Sequence, residues 1–399
     1  MDRKTRALLA VVCGVAVASV YAAQPVLGPM GRDLDVPVDS LGGLVATGQL
    51  GYLAGLVLLV PLGDMLDRGR LIAAHLALVA AGTALTAAAP AAWAAFAGLA
   101  AAGLFAVVVQ IAVAYTASVS PPGQRGRDLG VVTSGVVIGI LGSRVVAGVL
   151  ADLWGWRSVY LVLAFLTAVL ALLARTLLPA DVRPGTAPGY GRTLRYGRLL
   201  RSFGGLFAQP VFLGRGLIAF FLFASFGTLW SGMALPLAGA PWHLDETRIG
   251  LFGVAGLAGA LGAARSGRWG DAGHARRVTG LALALLLASW AAIGQLAWSL
   301  PLLILGVVLL DFAVQAVHVS NQHALATAYP GGTSSVIGAY MVFYSLGSAL
   351  GAAATTALYG AVGWLGPTVL GATLALCATA VWAFGTRPSE RATGTVGPR

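Results

Sequence analysis

The chain has 399 residues, of which 58% are hydrophobic and only 10% charged, and its net charge is +11. A soluble protein carries about 25% charged residues, so water is not the main solvent here. The only cysteines, Cys13 and Cys377, lie in apolar segments at opposite ends of the chain, which suggests neither a disulfide framework nor a zinc site.

Taken in chain order, Arg3, Lys4 and Arg6 precede the first apolar run. This is how a signal peptide begins, but many further runs follow, so the first is read as span 1. A run of about 20 apolar residues crosses a bilayer. Runs of that kind predict spans near 7–28, 41–62, 71–89, 92–118, 129–150 and 157–178, then near 213–237, 248–264, 278–297, 301–325, 334–361 and 365–385. Between the two sets lies the longest polar stretch, 179–212, with Pro179, Pro184 and Pro188. It is expected to be a cytoplasmic linker between bundles at 1–178 and 213–399, with Arg192–Arg201 as an amphipathic helix on the membrane surface.

With the N-terminus inside, 21 Lys and Arg residues fall on the cytoplasmic side against three, Arg32, Arg157 and Arg248, on the other. This asymmetry predicts that both termini are cytoplasmic. The basic charge then faces anionic lipid, and no nucleic-acid partner is needed to explain it.

Gly63-Asp64-Met65-Leu66-Asp67-Arg68-Gly69-Arg70 follows span 2, and Gly267-Arg268-Trp269-Gly270-Asp271 follows span 8. Gly63 and Asp67 match Gly267 and Asp271 at an offset of 204 residues, as Gly55 matches Gly259. The halves therefore read as parallel repeats of one six-helix unit. These loops resemble the signature loop of the major facilitator superfamily, although the second lacks the Arg after Asp271. Span 5 carries Gly139-Ile140-Leu141-Gly142-Ser143-Arg144-Val145-Val146-Ala147-Gly148, which resembles the antiporter motif of drug-efflux members with Ser143-Arg144 in place of Gly-Pro. Tyr21-Ala22-Ala23-Gln24-Pro25 in span 1 and Trp154-Gly155-Trp156-Arg157 are similar to segments of a bacterial subgroup of efflux-like permeases.

The resemblance implies an all-α integral membrane fold of 12 transmembrane helices in two pseudo-symmetric six-helix bundles, with spans 1, 4, 7 and 10 lining a central cavity. It also implies a conformational latch at Gly63, Asp67, Arg68, Arg70 and Asp271, where a carboxylate meets a neighbouring helix N-terminus. The Arg that proton-driven members carry in span 4 is absent from Ala97–Gly103.

An ionised group inside a bilayer costs about 2.5–3.5 kcal/mol on insertion scales, so it should face a cavity or a partner. Arg144 and Asp311 are the two clear cases, and they are expected to share a charge network with His318. Asp311, Gln315, His318 and Gln322 are spaced by four, three and four residues, which places them on one stripe of span 10. The expected substrate wall comprises Gln24, Gln110, Tyr115, Thr228, Trp230, Gln315, His318 and Tyr344. No metal or cofactor motif is present in the sequence.

The expected function is secondary active transport by a monomer in the bacterial inner membrane. The expected cargo is a small amphipathic organic compound or drug, exported with protons as the candidate coupling ion. Uptake or facilitated diffusion on the same fold is the alternative reading. A membrane-embedded enzyme or a sensor fits less well, because the sequence has no nucleophile elbow, paired membrane acids or signalling domain.

Overall fold

The computed structural model describes residues 1–121, 123–179, 204–263, 275–329 and 333–385. The expected amphipathic helix at Arg192–Arg201 and the second signature loop with Asp271 lie outside them.

Eleven described helical segments are long and apolar enough to cross a membrane: Arg3–Asp33, Val38–Leu58, Arg68–Ala87, Ala92–Val119, Arg127–Trp154, Trp156–Leu177, Pro210–Ala238, Arg276–Ala297, Leu300–Ala328, Val336–Val362 and Leu365–Gly385. The 18-residue helix Glu246–Ala263 stands between the seventh and eighth of these, at the place of span 8. With it the order is the twelve-span order expected from hydropathy, and each helix lies within a few residues of the matching run.

The ends of these helices follow local chemistry. Asp2 caps span 1 by accepting from the Thr5 amide at 2.9 Å, and Ser299 caps span 10. Pro210 opens span 7, at a position where a missing N–H costs nothing. Gly155, at φ 79°, turns the chain between spans 5 and 6 in a conformation that favours glycine.

Spans 1 and 7 do not run as single rods. Span 1 stops at Tyr21 and passes through a 3-10 turn at Gln24–Val26 before Leu27–Asp33. Pro25, which lacks an N–H donor, is the cause. Span 7 breaks at Met233 between Pro210–Gly232 and Ala234–Ala238. Hydropathy alone does not reveal either break, because both sides of it are apolar.

Within the first half span 1 packs on span 5, span 2 on span 4 and span 3 on span 6; within the second, span 7 packs on spans 11 and 12 and span 10 on spans 8 and 9. Some of these contacts are backbone on backbone. A Cβ at Gly139 of span 5 would collide with Gly14 of span 1, and one at Gly351 of span 11 with the Ala224 carbonyl of span 7. The halves meet along two seams, span 5 on span 8 and span 2 on span 11. Large apolar side chains such as Phe165, Leu172, Leu281 and Phe384 stay exposed around the outside, as lipid-facing positions require.

The bundle has a terminal end, which carries Arg3 and Gly385, and a distal end. At the terminal end Asp128 is fully buried and accepts from Arg6 Nη1 and Ser120 Oγ, both at 2.8 Å, which ties spans 1, 4 and 5 together. At the distal end Arg157 and the Trp156 indole both donate to Asp33, joining span 6 to the end of span 1.

Candidate functional site

The turn at Pro25 presents Gln24 to the middle of the bundle. Its Oε1 accepts from Arg144 Nε at 3.0 Å and Nη2 at 2.6 Å, and its Nε2 donates to Ser231 Oγ at 3.4 Å. Arg144 Nη1 donates to the Ile140 carbonyl one turn earlier, at 2.6 Å. One amide thus joins spans 1, 5 and 7. Arg144 is only 1% exposed, yet its charge is well served, since three of its N–H groups have partners and its plane lies against aromatic faces. The guanidinium carbon is 3.9 Å from the Trp230 ring centroid and 5.6 Å from the centroids of both Tyr21 and Phe226.

Asp311 lies beside the Cζ2 edge of Trp230. A Cβ placed on Gly256 of span 8 would stand 2.8 Å from Trp230 Cζ2 and 3.1 Å from Asp311 Oδ2, so both side chains press on the same bare point of that helix. Trp230 Nε1 and Asp311 Oδ2 are buried without a hydrogen-bond partner. Arg144 and Asp311 therefore lie close enough to feel one another's field, but Arg144's hydrogen bonds go to Gln24 and Ile140. On the distal side a pocket with room for about one water is lined by Gln24, Pro25, Arg144, Trp230, Met233, Ala234 and Ile249.

Toward the terminal end an aromatic layer follows. The hydroxyls of Tyr21 and Tyr344 hydrogen-bond to each other across the two halves. The Phe223 ring lies 4.0 Å from Tyr344 and 5.1 Å from His318, centroid to centroid. His318 Nδ1 is 3.0 Å from the Tyr340 hydroxyl, and its Nε2 is 3.1 Å from Gln322 Nε2. Gln315 is half-buried between the Asp311 and His318 levels. Asp311 and His318 of the span 10 stripe thus face spans 7, 8 and 11. On the other half Gln110 donates to the Tyr52 hydroxyl at 3.2 Å.

Of the expected wall, Gln24 and Trp230 meet directly around Arg144, while Tyr344 and His318 form the next layer. Tyr115 is placed elsewhere, donating to the Pro179 carbonyl at the terminal end, at 2.9 Å. Thr228 bonds back to Ala224 of its own helix, and its carbonyl accepts from Thr355, so it joins span 7 to span 11. In the signature loop Arg68 donates to the Gly63 carbonyl at 2.9 Å and to the Ala114 carbonyl at 3.1 Å. Asp67 caps its own helix through the Arg70 amide at 2.7 Å, and Arg70 is exposed. These contacts knit spans 2, 3 and 4 of one half.

Sequence reasoning did not single out Tyr21, Phe223 or Phe226 as parts of the site. Tyr21 had a signal, since it lies three residues before Gln24 in the same segment. The two phenylalanines had none, being apolar residues in an apolar helix.

A family model described as Major Facilitator Superfamily matches residues 9–237 and 216–398. The chain is 39% identical to the "Uncharacterized transporter YgaY" of Escherichia coli O157:H7 over 96% of each protein. Among solved structures it resembles a bacterial homolog of the human lysosomal transporter Spinster in an inward-facing, unoccupied conformation, with a TM-score of 0.75, 17% identity and coverage of 96% of this chain and 95% of that one. The human organic anion transporter MFSD10 (TETRAN) follows, with a TM-score of 0.67, 19% identity and coverage of 96% and 100%. The last two likenesses concern the fold; the family model and the long match to YgaY, on a two-half helical bundle with a polar centre, show that the chain belongs to the Major Facilitator Superfamily of membrane transporters.

Proposed function

We propose that the protein is a proton-coupled exporter of a small amphipathic organic compound, working by alternating access in the bacterial inner membrane. The observation that carries the reading is Asp311, whose buried Oδ2 lacks a hydrogen-bond partner beside the Trp230 ring that holds Arg144. A carboxyl in such a place responds strongly to any movement that brings in water, a substrate group or the guanidinium. Proton exchange at Asp311 is then linked to the relative position of the halves.

The walls around it fit an amphipathic cargo. Trp230, Phe226, Phe223, Tyr21 and Tyr344 supply aromatic surface, and Gln24, Gln315 and His318 supply a few polar groups, the mixture that binds organic ligands. The excess of basic residues at the terminal end supports cytoplasmic termini, with residues 1–178 and 213–399 as the two moving bundles and 179–212 as their linker. The distal end then faces the periplasm.

Purified protein in liposomes tests this. A pH gradient should drive saturable flux of a panel of amphipathic compounds, and Asp311→Asn should abolish the response to the gradient while sparing substrate exchange. Unchanged pH dependence in that variant would reduce Asp311 to a structural residue and remove the proton from the cycle. Net uptake, with the gradient reversed in effect, would favour an importer on the same fold.

A further inference from the structure

Among the described residues the distal ends of the halves are joined by an Arg32–Glu246 ion pair at 4.0 Å and by two hydrogen-bonded contacts, each a side chain on one half capping a helix of the other. Asp152, in the last turn of span 5, accepts from the Glu246 amide through Oδ1 at 3.0 Å and from the Thr247 amide through Oδ2 at 2.7 Å. These are the first two N–H groups of span 8, and the third, that of Arg248, is taken by Asp245 at 2.7 Å. A helix leaves its first N–H groups without intrahelical partners. Span 8 therefore completes its N-terminus only with a carboxylate borrowed from the opposite half.

The other seam repeats the arrangement. Thr356 of span 11 accepts from the amide of Gly42, the first residue of the α-helical part of span 2, at 2.9 Å, and donates to the Asp39 carbonyl at 3.1 Å. Residues 42 and 246 differ by 204, as do 152 and 356, which is the offset that relates the signature loops. The close approaches correspond as well: a Cβ at Gly148 would collide with the Glu246 carbonyl, and one at Gly42 with the Ala352 carbonyl, again 204 residues apart in each comparison.

We propose that Asp152 and Thr356 are paired positioning residues that hold the distal face closed, by capping helices they can reach only in that state. The proposal rests on the alternating-access reading. When the distal ends part, span 8 loses two caps and span 2 loses one, and both sets of N–H groups must find water. The two caps are unequal. Asp152 makes two charge-assisted bonds at a positive helix end, whereas the Thr356 hydroxyl is neutral and accepts one. Asp152 lies eight residues beyond Arg144, about 12 Å along span 5, so it acts through the seam and not on bound substrate.

Distance measurement between paired spin labels on the full chain in lipid nanodiscs tests the idea, with Cys13→Ala and Cys377→Ala as background. Trp93→Cys with Trp298→Cys reports the distal end, since both tryptophans are exposed at the starts of spans 4 and 10. Leu66→Cys with Thr327→Cys reports the terminal end. Asp152→Ala should raise the ratio of distal-open to distal-closed molecules by about 5- to 30-fold, the range for loss of a helix cap. The terminal pair should shorten in step. Asp152→Asn, which keeps one acceptor oxygen, and Thr356→Val, which keeps the side-chain shape, should move both distances the same way by less.

Broadening of both pairs without opposite shifts would make the residues merely structural and overturn the proposal. So would two populations in the parent that neither Asp152→Ala nor Thr356→Val redistributes, while leaving alternating access intact. A single distance in the parent under every pH and substrate condition would overturn alternating access, and the caps with it.

Discussion

The guanidinium of Arg144 lies 3.9 Å from the centroid of Trp230, and the Cζ2 edge of the same indole shares with Asp311 Oδ2 the bare surface of Gly256. One side chain thus adjoins both of these buried ionisable groups. A direct buried ion pair gains little net stability and resists separation. A ring that adjoins both leaves each group within the other's influence while keeping the carboxyl free to exchange its partner.

Trp230 is therefore the residue whose removal should change coupling most. Trp230→Phe keeps a face for Arg144 and should retain transport with a modest loss of affinity, because the cation–π contribution is about 0.5–2 kcal/mol and Trp is the best partner. Trp230→Ala should cost about 3–5 kcal/mol in stability and let Arg144 reach Asp311 directly. Its signature in liposome flux would be exchange without a response to the pH gradient; normal coupling in Trp230→Ala would show that the ring is dispensable.

Gln24→Leu should lower thermal stability in detergent. It leaves Nε and Nη2 of a buried Arg144 without their acceptor, and hydrogen bonds to a charged group are worth about 1.5–3 kcal/mol each. Gln24→Glu restores the acceptor and should recover the melting temperature. Equal melting temperatures for the parent and Gln24→Leu would mean that Arg144 finds another partner.

Gly256→Ala tests the packing behind the site. The added methyl would lie 2.8 Å from Trp230 Cζ2, a distance no relaxed contact tolerates, and overpacking of this kind costs about 1–3 kcal/mol. Trp230 should move, and a change in the tryptophan emission spectrum together with reduced flux would register it. Parent-like emission and flux would place Gly256 farther from the ring than it stands here.

Arg68→Lys should destabilise the first half although it preserves charge. Arg68 reaches the Gly63 and Ala114 carbonyls with two different nitrogens, which a single ammonium cannot do in the same geometry. A loss of about 1–2 kcal/mol is expected, against less than about 0.5 kcal/mol for Arg70→Lys at the exposed neighbour. Thermal unfolding of the two variants side by side decides it.

The spans were legible in the sequence because hydrocarbon thickness imposes a length, and the span 10 stripe because a helix repeats every 3.6 residues. Gln24 and Arg144 stood out as polar groups in apolar runs. What lay hidden was of two kinds. The break at Pro25 turns Gln24 inward, but proline is tolerated in continuous transmembrane helices, so its presence alone does not announce a turn. The distal caps were hidden because Asp152 recognises backbone amides 94 and 95 residues away, which have no side-chain signature. The 204-residue repeat did relate the positions, yet one is Asp and the other Thr, so identity matching passes over them.

The backbone contacts at Gly139 with Gly14, and at Gly351 with Ala224, carry a consequence for how this scaffold evolves. Helices touching main chain to main chain leave no side chain between them that can be exchanged, so even an added methyl at those points would push the helices apart. The aromatic and amide groups around Arg144 project from their helices, so replacing one removes contacts in the site without pushing two backbones apart. Substitutions in the site can thus alter what it holds, at the cost in stability given above, while the packing of the two bodies stays the same.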